Sequence, residues 1–434
     1  MPNIFAAPAL AGLLALPAAS GSPALAPVDA LYPDLAAFYQ DLHRNPELSR
    51  HEEKTSAKVA ERLRALGYEV TDHVGGFGVV GVMKNGKGPT LLMRADMDAL
   101  PVLEKTGLPY ASQITSKDDA GNVVPVMHAC GHDVHMTSLV GAAALLAKAK
   151  SLWRGTLVLV GQPAEEGGPG STAMLADGFL TRFPKPDFAI ALHDDPRVPA
   201  GQIGYASGFA YANSDTVAIT IYGRGGHGSA PQNTIDPIVI AAQTVLALQT
   251  VVSRENNPLD PVVVTVGTIH GGTKSNIIPD EVKLQLTVRT YKEEARRRAL
   301  AAIERIAKAE AVAAGAPKEP LVKIDRGLAA NYNDPALTRR VANAFVAAFG
   351  PKRIVELPPL MASEDFGEFG RAANVPYLEF WLGATPAAKL EAAHGDFTKV
   401  PGLHSSEFAP DPEPTLKAGA SALTVAALEL LGKR

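Results

Sequence analysis

Cysteine is almost absent from this sequence, since Cys130 is the single one among 434 residues. A disulfide within the chain is therefore excluded, and a functional Cys130 must act as a thiol or thiolate. Excess positive charge is also absent, because 41 Lys and Arg residues stand against 45 Asp and Glu residues. The composition thus gives no support for binding to nucleic acid or an anionic membrane. We also expect no membrane span, because no hydrophobic run is long enough.

The N-terminal segment, residues 1–28, has no charged side chain. Its apolar run over residues 7–19, followed by small residues, is typical of a secretory signal peptide, although no basic residue precedes the run. We expect either a signal peptide on a periplasmic or secreted protein, or a disordered tail on a cytoplasmic one.

Length and composition predict a globular protein of two domains. A chain of 434 residues exceeds one ordinary core. Strands alternate with helices in residues 29–207 and again in 325–434, which predicts one α/β domain with a parallel or mixed sheet. Residues 208–324 follow the order strand, helix, two strands, helix. This order predicts an inserted α+β domain of two layers, whose fourth strand the pattern does not locate.

Polar side chains follow three predicted strands of the first domain. Asp96 and Asp98 follow strand 90–94, residues 162–166 follow strand 155–160, and His193 follows strand 187–192. Sites in α/β sheets lie at the carboxyl ends of strands. We therefore expect these side chains to lie together.

The residue types in this region favour a transition metal. Cys130 and His132 offer sulfur and nitrogen two residues apart, and Glu165 and Glu166 offer adjacent carboxylates. Such a mixture suits zinc, manganese, cobalt or nickel. Taken alone, each piece has a plainer explanation, namely a buried cysteine beside a helix or two glutamates in a solvated turn.

Two further histidines, His193 and His404, complete the pattern. Five ligands fit two ions that share a bridging group better than they fit one ion. The candidates are Cys130, His132, Glu166, His193 and His404. We expect Cys130 to bridge, His132 and Glu166 to hold one ion, and His193 and His404 the other. Glu165 would then act as the base that takes a proton from water and passes it to a leaving amine, which predicts amide hydrolysis.

Other polar residues stand near these candidates or in the inserted domain. His128, Asp133 and His135 are expected to orient or pack around the ligands. In the inserted domain, His227 lies in a glycine-rich turn and could polarise a substrate carbonyl. Asn276 and Arg289 could bind a substrate carboxylate, or they could be a turn residue and a surface charge.

These motifs together resemble the aminoacylase and carboxypeptidase family of two-metal metallopeptidases. The chain is most similar to its branch of hippurate hydrolases, N-acyl-amino-acid amidohydrolases and auxin-conjugate hydrolases. The similarity runs from about residue 36 to the C-terminal helix. It includes residues 42–49, 94–101, 127–133, 162–166, 225–231, 275–279 and 362–366.

The resemblance implies a mixed-sheet, zinc-peptidase-like catalytic domain with an inserted lid of four antiparallel strands and two helices. It implies the same five metal ligands, Glu165 as general base, and substrate contacts from His227, Asn276 and Arg289. It also implies a homodimer or higher homo-oligomer through the lid, with the lid histidine sometimes contributed by the partner subunit.

The chain departs from other branches of the family at two places. Asp96-Met97-Asp98 stands where many members carry a His-x-Asp metal motif, so the bridge here would be Cys130. Asp194 and Asp195 follow His193, where related hydrolases often carry a neutral residue. We expect this extra negative charge to disfavour acidic substrates.

The function predicted from the sequence is hydrolysis of an N-acyl amino acid or a related small amide. A dipeptidase or carboxypeptidase of the same family is the neighbouring alternative. A non-catalytic binding protein on the same scaffold is a third, but it would be expected to have lost Glu165 or a ligand.

Overall fold

The computed structural model describes residues 23–168 and 170–433. Residues 1–22 of the predicted signal peptide or tail therefore lie outside the described residues. Ala24 and Leu25 are already buried. Leu25, which lies within the expected segment, packs in the main core.

Eleven α-helices occur in the described residues. They are α1 (Val28–Arg44), α2 (Glu53–Ala65), α3 (His132–Lys148), α4 (Gly170–Ala176), α5 (Phe179–Arg182), α6 (Pro237–Thr250), α7 (Glu293–Ala313), α8 (Pro335–Phe349), α9 (Gly367–Ala373), α10 (Ala387–Ala393) and α11 (Pro412–Leu431).

The same part of the chain forms eighteen strands. They are β1 (Glu69–Val74), β2 (Gly78–Asn85), β3 (Thr90–Asp96), β4 (Thr115–Lys117), β5 (Val123–Pro125), β6 (Gly155–Gln162), β7 (Phe188–Pro199), β8 (Ile203–Tyr205), β9 (Gly208–Tyr211), β10 (Asp215–Tyr222), β11 (Gly226–His227), β12 (Val262–Gly271), β13 (Ile277–Ile278), β14 (Glu281–Thr290), β15 (Leu321–Arg326), β16 (Asn331–Asn333), β17 (Ile354–Glu356) and β18 (Tyr377–Thr385).

The main sheet has eight strands in the order β1-β2-β6-β3-β7-β18-β8-β17. Its centre is parallel, because β6, β3, β7 and β18 run in one direction, while β1–β2, β2–β6 and β18–β8 are antiparallel pairs. The carboxyl ends of the three strands that carry the predicted polar residues therefore meet at one edge.

Both faces of this sheet are covered, which explains the continuous apolar runs of its central strands. In β6, Leu157 and Leu159 face a core shared with α1, α3, α8 and α11, while Val158 and Val160 face the core that Phe179 of α5 and Phe369 of α9 help to form. Since successive side chains of a strand point to opposite faces, a strand buried on both sides must be apolar throughout.

The second sheet has four antiparallel strands in the order β12-β14-β10-β15. Buried and less buried residues alternate along β14, and the buried set packs on α6 and α7 in a separate core. The α/β fold class with an inserted two-layer lid is therefore confirmed. The strand that sequence left unplaced is β15, which ends two residues beyond position 324. The domain boundaries themselves stay predictions.

Two elements differ from the sequence-based expectation where it matters for the site. Helix α3 begins at His132, whereas the alanine-rich pattern of the sequence predicts a helix over 137–150. Strand β7 continues through His193 to Pro199 rather than ending before the histidine. As a result, His132 lies on a helix and His193 lies on a strand, and neither lies in a loop.

One helical segment, residues 237–255, meets the length and apolar composition of a membrane span, contrary to the expectation that no stretch approaches one. It consists of α6 and a π-helical continuation. Ile240, Ala241 and Leu248 are buried in the core of the second sheet. One face of this segment therefore packs in the core of the inserted domain.

Arg296 of α7 ties the lid helix to the start of β10. Its guanidinium donates to both carboxylate oxygens of Asp215, at 2.8 and 2.5 Å, and to the carbonyl oxygen of Gly327 at 3.1 Å. Asp215 is completely buried. Removing one partner of such a pair leaves a buried charge uncompensated.

We predict that Asp215→Ala lowers the free energy of unfolding by about 3 kcal/mol, because Arg296 then stays buried without its carboxylate. Urea unfolding measures this change. Glu294→Ala, which removes an exposed pair with Arg298 on the same helix, is the matched control and should cost less than about 1 kcal/mol. Equal effects of the two variants would contradict the prediction.

His43 joins α1 to α3 and to the segment after β3. Its ring nitrogens lie 2.7 Å from Asp133 and 3.1 Å from Glu104, and the three side chains are buried. Burial opposes the charged form, but the hydrogen bonds to Asp133 and Glu104 prevail and raise the pKa of His43 to about 9. The imidazolium therefore stabilises the folded state.

Because the pKa of His43 rises on folding from 6.5 to about 9, its contribution is complete below about pH 6.5 and is lost as the pH rises through 9. We expect His43→Gln to lower the unfolding free energy by about 3 kcal/mol near pH 6 and by much less near pH 10. The exposed His73→Gln is the control. A cost that does not change with pH would rule out the charged form.

Candidate metal centre

Residues from four separate segments meet at the carboxyl ends of β3, β6 and β7. Cys130 precedes α3, His132 is its first residue, Glu165 and Glu166 follow β6, and His193 lies on β7. His404 arrives from the loop before α11, where its backbone N–H donates to the carbonyl of Ala129 at 2.8 Å.

Gly131 makes the close approach of these segments possible. It has φ +75°, and a Cβ atom there would lie 2.0 Å from a carboxylate oxygen of Asp194. Only glycine fits this conformation and this space. The turn from Cys130 to His132 therefore requires glycine at position 131, in addition to the side chains of the two flanking residues.

All five predicted ligands converge. Ligand atoms of Cys130, His132 and His193 lie within 4.8 Å of one another, as do those of Cys130, Glu166 and His404. The Cys130 sulfur is 3.5 Å from Nε2 of His193, and Nε2 of His404 is 3.0 Å from Oε1 of Glu166. Cys130 belongs to both groups, in agreement with a shared ligand.

The expected division joins His132 with Glu166 and His193 with His404, whereas the groups around Cys130 pair His132 with His193 and Glu166 with His404. His132 also forms a group with Glu165 and Glu166 within 4.8 Å. The ligand set is thus compact enough that geometry alone does not assign each residue to one ion. The individual roles stay predictions.

Buried polar atoms without partners indicate that this cluster fits metal ions. Both ring nitrogens of His132 and Oε1 of Glu166 are buried without a well-aligned hydrogen bond, although Nδ1 of His132 lies 3.3 Å from Asp98 and Oε1 of Glu166 lies 3.0 Å from Nε2 of His404. Burial, together with Glu166 and Asp194, raises the pKa of the Cys130 thiol well above its usual range. Unpaired buried donors and acceptors are costly unless a cation coordinates them.

Asp96, Asp98, His135 and Asp194 surround the ligands. His135 contacts Asp96 at 2.6 Å and Asp194 at 3.1 Å, and Asp98 lies 3.3 Å from Nδ1 of His132. Such contacts orient metal-ligating histidines and set their basicity. His128 is buried nearby with neither ring nitrogen bonded.

The expectation that Asp194 and Asp195 disfavour acidic substrates assumes that both carboxylates carry a free negative charge beside the site. Asp194 is buried between His135 and His193. Asp195 is buried too, and its carboxylate accepts hydrogen bonds from Arg197 at 2.6 to 3.1 Å. Both carboxylates thus have imidazole or guanidinium neighbours, but both also line the cavity and Oδ2 of Asp194 has no hydrogen-bond partner, so their effect on substrate charge stays a prediction.

Sequence reasoning did not assign a role to the charge network beneath the ligands. The completely buried Arg94 of β3 donates to Asp96 at 2.7 Å, Glu364 at 3.0 Å, Asp365 at 3.0 Å and Gln162 at 2.9 Å. The sequence contained one signal for this network, namely an arginine inside an apolar strand. A buried guanidinium requires carboxylate partners.

Glu165 is half-buried and lines the cavity close to this network. Burial, Glu364, Asp365 and Glu166 together raise its pKa well above the usual range. A carboxylate with a raised pKa binds a proton more strongly, as a general base and subsequent acid requires.

The cluster opens into a cavity of about 1040 Å³ between the two sheets. Arg289 lines it, and Nη1 of its guanidinium is buried without a partner. His227 and Asn276 are exposed and do not line this cavity in a single chain. Oγ of Ser229 is instead 2.7 Å from Nδ1 of His227. The structure thus brings one of the three predicted lid residues to the site.

A family model agrees with this arrangement, since that of peptidase family M20/M25/M40 matches residues 92–404. The chain belongs to this family. The resemblance inferred from the motifs is therefore confirmed.

Three M20 relatives illustrate the similarity. The hippurate hydrolase of Campylobacter jejuni is 40% identical over 340 residues, which cover 77% of this chain and 85% of that protein. Thermostable carboxypeptidase 2 of Saccharolobus solfataricus is 37% identical over 397 residues, 90% of this chain and 94% of that protein. The crystal structure of a dinuclear metal-binding M20 peptidase from Bacillus subtilis aligns with a TM-score of 0.75 at 29% identity, covering 93% of this chain and 100% of that one.

We predict that chelation lowers the melting temperature of this M20 protein by several degrees, because ions that bind only the folded state stabilise it. Zinc, manganese, cobalt or nickel should restore it in differential scanning calorimetry. In His132→Ala the metal-dependent shift should shrink, whereas the exposed His73→Ala should retain it. An unchanged melting temperature after verified metal removal would contradict a metal centre here.

Proposed function

We propose that this M20 protein is a metal-dependent amidohydrolase that cleaves N-acyl amino acids or related small amides. The observation that carries the proposal is the convergence of five ligand side chains and Glu165 at the base of one cavity that also contains Arg289. Ligands, a base and a cation for a carboxylate are the parts that this reaction needs.

Cys130, His132, Glu166, His193 and His404 would hold two divalent ions. When bound, these ions would acidify water and polarise the amide carbonyl. Glu165 would take the proton of the attacking water on its carboxylate and give it to the nitrogen of the departing amine. The amide bond breaks as the carboxylic acid and the amine form.

Arg289 is the residue proposed to bind the carboxylate of the amino acid. Its guanidinium is half-buried, and one nitrogen lacks any partner in the described structure. A carboxylate can accept two parallel hydrogen bonds from such a group. Leu360, Met361 and Leu403 also line the cavity and offer an apolar wall for the acyl group.

A second copy of the chain is proposed to supply His227 and Asn276. In one chain these residues lie outside the cavity, although the family resemblance implies that they contact substrate. The lid also exposes apolar side chains on α6 and β12, among them Val239, Leu246 and Ile269. A lid-to-lid homodimer would cover such surfaces. Export through residues 1–28 likewise stays a proposal.

Carboxypeptidase or dipeptidase activity is the second candidate. Support comes from the similarity to the Saccharolobus solfataricus carboxypeptidase over 90% of this chain. A C-terminal carboxylate and an N-acyl amino acid carboxylate present the same group to Arg289. The two candidates therefore differ in what the opposite wall of the cavity accepts.

We predict that metal-reconstituted protein hydrolyses a panel of N-acyl amino acids and dipeptides, and that Glu165→Gln lowers kcat by at least about 100-fold, because the base is lost. The released amine is quantified for each substrate. Glu407→Gln, an exposed glutamate three residues after His404, is the control and should retain activity. Preference within the panel separates the two candidates, and absence of turnover with all four metals would refute both.

A further inference from the structure

The loop that carries Glu165 and Glu166 has an uncommon backbone. Ala164 lies in the left-handed region with φ +51°. Its carbonyl accepts the N–H of Gly170, and a Cβ on Gly170 would lie 1.6 Å from the carbonyl oxygen of Pro163. A non-glycine residue keeps such a conformation only when its surroundings enforce it.

Two buried carboxylates hold three consecutive amides of this loop. Asp98 accepts the N–H groups of Glu165 at 3.1 Å and Glu166 at 2.9 Å. Glu52 accepts the N–H of Ala164 at 2.7 Å. Asp98 also lies beside His132, whereas Glu52 stands apart from all the proposed ligands.

The carboxyl group of Glu52 is buried and only partly hydrogen-bonded. Its residue is completely buried, and its second oxygen, Oε2, has no hydrogen-bond partner. It occupies the N-cap position of α2, yet its side chain makes no cap hydrogen bond there. Burying a carboxyl group is costly, and backbone N–H groups of Glu52 itself, Ala164 and Arg50 offset part of that cost. Of these three, the bond to Ala164 is the one that reaches the loop of the glutamate pair.

The hydrogen bond from Ala164 needs an acceptor oxygen on residue 52, but it does not need a negative charge there. Burial and the neighbouring Asp98 raise the pKa of Glu52 to about 7. A neutral side chain of the same length, with its carbonyl oxygen in place, would therefore still accept the amide.

We propose that Glu52 is a positioning residue, which holds Ala164 in its left-handed conformation and thereby aims the Glu165–Glu166 pair into the cavity. It acts through the backbone and touches neither substrate nor ion. The inference rests on the proposed function only for its kinetic consequence, because the backbone contact is independent of what the protein hydrolyses.

The kinetic test compares Glu52→Ala, Glu52→Asp and Glu52→Gln in metal-loaded protein of measured metal content. Ala and the shorter Asp should lower kcat by about 10- to 100-fold with little change in KM, because misplacing a reacting group costs this much. Gln should retain most of kcat. Glu53→Ala, the exposed neighbour on α2, is the matched control.

A double-mutant cycle tests whether Glu52 affects the rate through Glu165. If Glu52 acts through Glu165, then Glu52→Ala should change the residual rate of Glu165→Gln by less than about twofold. A loss as large as in the wild-type background would overturn the proposal, as would unchanged kcat in Glu52→Ala.

Hydrogen exchange supplies a readout that does not depend on activity. The amides of residues 164–166 should exchange faster in Glu52→Ala than in wild type, with the core of α3 unchanged, and Glu53→Ala should show no effect. Equal exchange at these amides would overturn the inference even if the protein is an amidohydrolase. Faster exchange would support it even if wild-type protein cleaves none of the amides.

Discussion

The candidate site depends on how buried negative charge is balanced at the carboxyl ends of the central strands. Arg94 donates to the carboxylates of Asp96, Glu364 and Asp365 without any exposure to solvent. One guanidinium cannot neutralise all the acids that pack here. Burial and Glu364 raise the pKa of Glu379 well above its usual range, and the pKa of Asp365 rises to about 7.

This balance explains why a metal centre fits above the arginine. Beneath the cavity, Arg94 compensates the inner carboxylates. At the cavity surface the carboxylate of Glu166 faces the imidazole of His404 at 3.0 Å rather than a guanidinium, and the ring nitrogens of His132 form no well-aligned hydrogen bond. Divalent ions would supply the missing positive charge, and two ions match ligand groups that share Cys130. Stability and chemistry would then depend on the same charges.

The loop after β6 carries the glutamate pair, and buried carboxylates accept hydrogen bonds from its backbone. Asp98 contacts both a ligand histidine and the amides of the glutamate pair, so one carboxylate connects two of the segments that form the site. Glu52 adds a contact from α2 to the strained residue before the pair. Enzyme sites gain precision when the groups around them lock the backbone in this way.

Residue types and periodicity in the sequence were enough to predict the α/β class, the inserted lid and the convergence of Cys130, His132, Glu166, His193 and His404. Strand ends in an α/β sheet meet at one edge, and the chemistry of sulfur, imidazole and carboxylate ligands is local. Sequence was not enough for Arg94, Glu364, Asp194 or Glu52. Their roles arise from contacts between residues far apart in the chain, such as Glu52 with Ala164 and Arg94 with Glu364. Whether a charge is paired or free depends on which distant group packs against it, and only the tertiary structure decides that.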